Sequence, residues 1–303
     1  MMGVCKDRVV IVTGAGRGLG RAYALELARQ GAAVVVNDLG VGNHGEAGET
    51  SQSPAEEVVA EITAAGGRAV ANGEDVADWE AGKRIVDTAL QTFGALHAVV
   101  NNAGFVRDRM FVSATPEEWD AMMRVHLRGH FCTSRHAVDH WRAEAKAGRD
   151  VDARIVNTTS GAGLQGSIGQ SAYSAAKAGI ASLTLVQAAE LVRYGITANA
   201  IAPQARTRMT EEAFGASMSR KDGDFDLFAP ENTAPLIAWL CSAQSGKVTG
   251  EVFELLGGRL SVALGWNDGP SRDRGAQWPA EDVGDAVAGL LADRPTAKPV
   301  YGQ

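Results

Sequence analysis

One apolar run that ends in glycines narrows the folds open to this chain more than any other stretch. Val9-Val10-Ile11-Val12-Thr13 is β-branched throughout and does not alternate, as expected for a parallel strand covered on both faces. It leads directly into Gly14-Ala15-Gly16-Arg17-Gly18-Leu19-Gly20, and the amphipathic stretch 21–30 follows. A second apolar run, 33–37, ends beside Asp38. Strand, glycine turn, helix and strand in that order present the unpaired N–H groups of a helix start to an anion, the arrangement that seats a pyrophosphate. The Asp38 carboxylate can accept both hydroxyls of an adenosine ribose and repels a 2′-phosphate, which favours NAD over NADP. Arg17 pulls the other way, since a cation in the turn can pair with that phosphate or stand in solvent.

Further apolar runs at 68–72, 96–101, 153–159, 196–202 and 251–256 alternate with helical stretches at 77–93 and 116–146, one through Tyr173 and Lys177 to about 194, one at 230–242 and one opening at Pro54. Pro203 is expected to break the sixth strand. This alternation predicts an α/β fold: a doubly wound, Rossmann-like sheet of seven mainly parallel strands with helices on both faces and the site across the strands' carboxyl ends. Residues 40–53 read as a glycine-rich loop, and 204–228, without a clean period, as a substrate lid. Residues 1–260 form the predicted domain, and 261–303 an irregular C-terminal extension with one helix over 281–292.

A second local pattern carries chemistry. Alanines around Tyr173 and Lys177 favour a helix, and a spacing of four sets both side chains on one face. An ammonium one turn from a phenol should lower a pKa that is about 10 when unperturbed. Ser160 closes the run 153–159, so its hydroxyl is placed to bond the same reacting oxygen as Tyr173.

Composition excludes other classes. The 303 residues are 45% hydrophobic, and no apolar run is read as approaching the roughly 18 residues that span a membrane. The formal charge of −7 argues against nucleic acid as a partner. Cys5, Cys132 and Cys241 lack metal-ligand or disulfide spacing, so no metal is expected and a reducing cytoplasm is the expected setting, with no signal peptide ahead of the first strand.

Thr13-Gly14-x-x-x-Gly18-x-Gly20, Asn101-Asn102-Ala103-Gly104 and Ser160 thirteen residues before Tyr173-x-x-x-Lys177 together resemble the short-chain dehydrogenase/reductase family over about residues 5–260. Gly20-Arg21-Ala22-Tyr23, Asn37-Asp38-Leu39-Gly40, Arg107-Asp108-Arg109 and Val125-His126-Leu127-Arg128-Gly129 are similar to its (3R)-hydroxyacyl-CoA dehydrogenase branch, found in peroxisomal multifunctional enzymes of type 2. The resemblance implies hydride exchange between a secondary alcohol or ketone and NAD. Ser160 would orient the substrate oxygen, Tyr173 exchange its proton, and Lys177 lower the tyrosine pKa while bonding the nicotinamide ribose. Gly14, Arg17, Gly18, Leu19 and Gly20 would line the pyrophosphate, Asp38 the ribose, and Asp75 and Val76 the adenine, with Asn102 on the central backbone. His126 stands where the wider family has asparagine; its imidazole either substitutes in the proton relay or fills space while a backbone carbonyl holds the relay water. Helix-to-helix homodimers or homotetramers are implied, and Ala175, Gly179, Ser182, Val186 and Ala189 form a small-residue face that would otherwise pack on the chain's own sheet.

A small-molecule substrate is expected, an acyl-CoA thioester above others. Arg107, Arg109, Arg206, Arg208, Arg220 and Lys221 could hold its phosphates, and Met209, Phe214, Met218, Phe225 and Phe228 could cover its acyl chain. Alternatively, these cations are solvated, or Arg107 and Arg109 pair with Asp108, Glu117 or Glu118. A 3-oxoacyl-carrier-protein reductase, a hydroxysteroid dehydrogenase and a non-catalytic nucleotide-sensing or scaffold protein are the competing readings.

Overall fold

β1 (Val9–Thr13) and β2 (Ala33–Asn37) lie parallel, with Val10 opposite Val34 and Thr13 opposite Asn37. This computed structural model describes residues 3–40, 53–206, 225–296 and 298–302. Next come β3 (Arg68–Asn72), β4 (Ala98–Asn101), β5 (Ala153–Thr158), β6 (Ile196–Gln204), β7 (Val252–Leu256) and β8 (Arg259–Val262), in one sheet of order β3-β2-β1-β4-β5-β6-β7-β8. The first seven strands run parallel, and the reversal of order at β1 opens the crevice at their carboxyl ends.

Alternation along each strand supplies two apolar layers. Val10 and Val12 meet Tyr23 and Leu27 of α1 (Gly18–Arg29) and Val58 and Ile62 of α2 (Pro54–Ala64). Val9 and Ile11 meet Ile85 of α3 (Trp79–Phe93) and Trp141 of α5 (Gly129–Lys146) on the other face. Helix starts follow local chemistry: Ser53 with Glu56 and Thr115 with Glu118 form capping boxes, each with proline in the first turn, and Asp78 caps α3.

Four expectations are corrected. The sheet has eight strands, because Gly257-Gly258 makes a two-residue hairpin that turns β8 antiparallel onto β7, with Leu256 opposite Arg259 and Gly257 at φ 55°. The sheet therefore runs past the expected boundary at 260, with β8 reaching Val262, while the expected terminal helix is present at Ala280–Asp293. Pro203 does not break β6. Ile201 O accepts from Thr159 N, so residue 203 faces the same side two residues on, past the last β5 pair, where its missing N–H costs no ladder bond. The stretch 116–146 is not one α-helix, since the π-helical turn Met123–Arg128 divides α4 (Pro116–Met122) from α5.

One helix, spanning 171–194 and including α7 (Ser171–Leu191), is long and apolar enough by length and composition to cross a membrane, with mean hydropathy 1.2, which the reading of apolar runs overlooks. In the fold α7 lies on the sheet through Ile180, Thr184 and Ala188 and carries the buried Lys177.

Candidate active site

The nucleotide half of the rim is built by glycines and one threonine. Gly14 (φ 62°) and Gly18 (φ 51°) take the left-handed conformation the β1–α1 turn needs. A Cβ on Gly14 would lie 2.7 Å from Ala103 Cα, and one on Gly20 2.6 Å from Asn102 Nδ2, so this turn is packed against the end of β4. Thr13 Oγ1 accepts from Asn102 N at 3.0 Å and Ala103 N at 3.1 Å, while Asn102 Nδ2 donates to Thr13 O at 3.0 Å and Gly14 O at 3.1 Å. Asn102 thus holds the backbone between the two strand ends. Leu19 packs on the core beneath the turn.

Asp38 follows β2, with one carboxylate oxygen accepting from Gly16 N at 2.9 Å and the other from Gly40 N at 2.8 Å. Each oxygen keeps acceptor capacity for a ribose hydroxyl. Arg17 is the N-cap of α1 without a side-chain cap bond, and no acid occupies the first turn. The leading N–H groups of α1 are thereby left to an anion, and the residues present fit a dinucleotide. Beyond β3, Asp75 accepts from Ala77 N at 2.8 Å and pairs with Arg124 at 2.6 Å, while Val76 is buried against Gly129.

Ser160, Tyr173 and Lys177 converge from β5 and α7. Ser160 caps the short α6 (Gly161–Gln165), its Oγ accepting from Ala162 N at 3.2 Å, and its hydroxyl acts to lower the Tyr173 pKa. Lys177, 3% exposed, donates from Nζ to Thr158 O at 2.7 Å and sits 5.6 Å from the Tyr173 ring centroid. Gly163 permits this packing, since its Cβ would lie 2.7 Å from Lys177 Cβ.

The acidities depart from the expected pattern. Burial raises the Tyr173 pKa, with the Ser160 hydroxyl opposing and Asp108 adding to the rise. Burial alone brings Lys177 down to about 7. Lys177 is not among the groups that lower the Tyr173 pKa, because desolvation acts on both groups and Lys177 Nζ is turned to the Thr158 carbonyl.

His126 enters the site from the π-helical turn, a local widening often found at functional sites. Its ring stands edge-on to Tyr173, with centroids 5.3 Å apart, and its Nε2 is 2.7 Å from Phe105 O. Burial, then the Lys177 charge, hold its pKa down to about 3, so the imidazole is neutral. Nε2–H donating to Phe105 leaves Nδ1 as a buried acceptor without a partner among the described residues. Gly104 makes room for this ring: its Cβ would lie 2.7 Å from His126 Nδ1.

Sequence reading passed over a buried polar layer below the site. Asn101 Nδ2 donates to Ser134 Oγ at 2.8 Å and Asn157 Oδ1 at 2.9 Å, and Asn157 Nδ2 donates to Thr184 Oγ1 at 2.9 Å. The available signal was asparagine closing β2, β3 and β4 and standing in register in β5, Asn37 opposite Asn72 and Asn101 opposite Asn157. Of the six cations proposed around the mouth, Arg109 pairs with Glu118 at 2.9 Å and Arg206 with Asp226, while Arg107 lies 5.7 Å from the Phe105 ring centroid. Arg208, Arg220, Lys221, Met209, Phe214 and Met218 lie outside the described residues. Among the described residues no group of three His, Cys, Asp or Glu side chains is placed to hold a metal.

The short chain dehydrogenase family profile matches residues 8–216. The hydroxyacyl-CoA dehydrogenase ChsB1 of Mycobacterium tuberculosis is 45% identical over 261 residues, covering 84% of this chain and 79% of its own. The peroxisomal multifunctional enzyme type 2 of Mus musculus is 46% identical over 259 residues, 86% of this chain but 32% of that protein. A crystal structure of a short chain dehydrogenase from Mycobacterium avium superposes with a TM-score of 0.90 at 56% identity, covering 99% of this chain and all of that one. A second, from Mycobacterium paratuberculosis and bound to NAD, has a TM-score of 0.70 at 25% identity over 84% of this chain and 97% of its own.

Proposed function

The chain belongs to the short chain dehydrogenase family, and from that premise we propose that it oxidises a (3R)-hydroxyacyl-CoA, or a related lipid- or steroid-derived secondary alcohol, with NAD. That it is an oxidoreductase acting on CH–OH groups follows from the family and its named dehydrogenase relatives. The observation that carries the finer reading is the meeting of Ser160, Tyr173 and Lys177 on one rim with Asp38 and the open start of α1. The NAD-bound neighbour and the hydroxyacyl-CoA in the name of one relative add support.

In this reading a bound nicotinamide would supply the acceptor for the hydride of the carbinol carbon. The chain's own residues do the rest. Ser160 donates to the substrate oxygen and fixes it beside Tyr173, whose phenolate takes the hydroxyl proton; Lys177 would bond the nicotinamide ribose and favour that phenolate. Gly14, Arg17, Gly18, Leu19 and Gly20 would hold the pyrophosphate, Asp38 the adenosine ribose, and Asp75 and Val76 would border the adenine. The neutral His126 braces Tyr173 by its edge and carries no charge into the relay.

The outer face of α7 supports a homodimer or homotetramer: Leu185 is 52% and Val186 49% exposed, rather than packed on the chain's own sheet. The three cysteines are free and buried, which suits a reducing cytoplasm.

The test follows absorbance of the reduced nicotinamide with (3R)- and (3S)-hydroxyacyl-CoA, each with NAD and NADP. Activity on the 3R thioester with NAD at least tenfold above NADP is expected, with the gap narrowing in Asp38→Ala. Equal use of both cofactors by the wild type removes Asp38 from its role, and activity confined to steroid alcohols removes the thioester.

A further inference from the structure

After β8 the chain leaves the body, and the terminal helix Ala280–Asp293 buries no residue. Its last segment nevertheless comes back to the catalytic rim. Tyr301 N donates to Gly166 O at 3.2 Å and Tyr301 O accepts from Ile168 N at 2.9 Å, a parallel bridge centred on Ser167. Lys298 Nζ meets Glu254 Oε2 of β7 at 2.8 Å and anchors the approach.

The strip it pairs with, residues 166–170, is the link between the helix that follows Ser160 and the helix that bears Tyr173. The opposite side of this link is held by the loop after β4: Arg109 N donates to Gly169 O at 2.7 Å and Gln170 Nε2 to Asp108 Oδ1 at 2.8 Å. The link therefore has the chain's end on one side and the β4 loop on the other.

The Tyr301 ring is laid on Gly161, the residue after Ser160. A Cβ there would lie 2.5 Å from the Tyr301 hydroxyl oxygen and 2.8 Å from Cε2, so only glycine leaves room for the phenol. Gly161 follows β5 and Glu254 belongs to β7, which places Tyr301 on the β5–β7 half of the rim, away from the glycine turn of β1. A ring there borders whatever is presented to Ser160 from the side opposite the nucleotide.

We propose that the segment Val300–Gly302 is a wall of the substrate site and that Tyr301 is a specificity-determining residue, its ring limiting the bulk that can lie beside the oxygen held by Ser160. The assignment rests on the catalytic reading of Ser160 and Tyr173 but not on the thioester. Bulk is what an aromatic ring backed by glycine can discriminate, and the discrimination vanishes with the ring rather than with its hydroxyl.

The experiment compares wild type, Tyr301→Ala, Tyr301→Phe and a chain ending at Pro299. Each is assayed for kcat/KM on short, long and branched (3R)-hydroxyacyl thioesters and on uncharged secondary alcohols of matching bulk, and for NAD affinity by fluorescence titration. Tyr301→Ala and the shortened chain should shift the bulky-to-small ratio of kcat/KM at least tenfold, with NAD affinity within twofold of wild type, and Tyr301→Phe should keep the wild-type ratio. A uniform loss on every substrate would reduce the segment to a brace for the 166–170 link, and an unchanged ratio would remove it from the site; either overturns the proposal. A wild type idle on thioesters but active on the alcohols would undo the thioester reading alone, since the ratio among alcohols still tests Tyr301.

Discussion

Tyr173 and Lys177 share a helix face as their spacing requires, yet burial places each nearer its neutral form than that spacing implies. Tyr173→Phe removes the hydroxyl that would exchange the proton in the proposed reaction while leaving the ring against His126 and the turn of β1 untouched. Turnover should fall about a thousandfold with NAD affinity retained, as general acid–base loss dictates; retention within tenfold in a steady-state assay would take Tyr173 out of the mechanism. Lys177 carries a signed pH dependence. Its folded pKa of about 7 lies below its ordinary 10.5, so between these values the unfolded chain binds a proton that the folded chain has released. Stability from this group rises with pH across that window and is lowest below pH 7. Lys177→Met should therefore raise the melting temperature at pH 6–7, by about 3 °C or more, and lose that gain toward pH 10, while turnover collapses. Calorimetry showing the same gain at every pH would mean that charge burial is not the cause.

At the level of elements, the sheet's amino-terminal side is tied by one acid. Arg154 of β5, 1% exposed, donates to Ser242 O and Ser245 Oγ and pairs with Asp152, which also accepts from Arg8 at 2.7 Å. Burial would raise the Asp152 pKa, but the hydrogen bonds from Arg8 and Arg154 prevail and lower it, so its contribution is lost as acid carries pH down through that value. Asp152→Ala leaves two buried guanidinium groups without their shared counter-charge. Because Asp152 is itself half-exposed, a loss of about 2 kcal/mol is expected rather than the larger cost of a fully buried pair, read as a lower urea midpoint at pH 7. A midpoint unchanged within error would show that water replaces the carboxylate. The helix starts at Pro54 and Pro116 were legible because proline, lacking an N–H, suits the first turn of a helix. Pro203 and the π-helical turn were not, since the first depends on where β5 ends and the second on the room that Gly104 leaves for His126.

Over the whole molecule, apolar surface gathers where α5 and α7 face outward: Phe131 is 45% exposed, and Leu185 and Val186 are about half so. Leu183, Leu127 and Met123 line a shallow depression beside Phe131. Patches of this kind mark protein contacts. Light scattering at micromolar concentration should find a dimer or tetramer, and Val186→Glu should shift it toward monomer; a wild-type monomer would leave this face without a partner.

The sequence by itself determined the strands of the parallel sheet, the glycine turn, the acid at Asp38 and the Ser160, Tyr173 and Lys177 set, because each rests on periodicity, turn stereochemistry or spacing within one stretch of chain. Tertiary structure decided what depends on distant atoms. Thr13 clamps Asn102 across the β1–β4 seam, Gly104 leaves room for the His126 ring, and Tyr301 comes back to Gly161. It also decided the acidity of Tyr173 and Lys177, since desolvation sums over every group packed around a charge, and that sum exists only once the chain has folded.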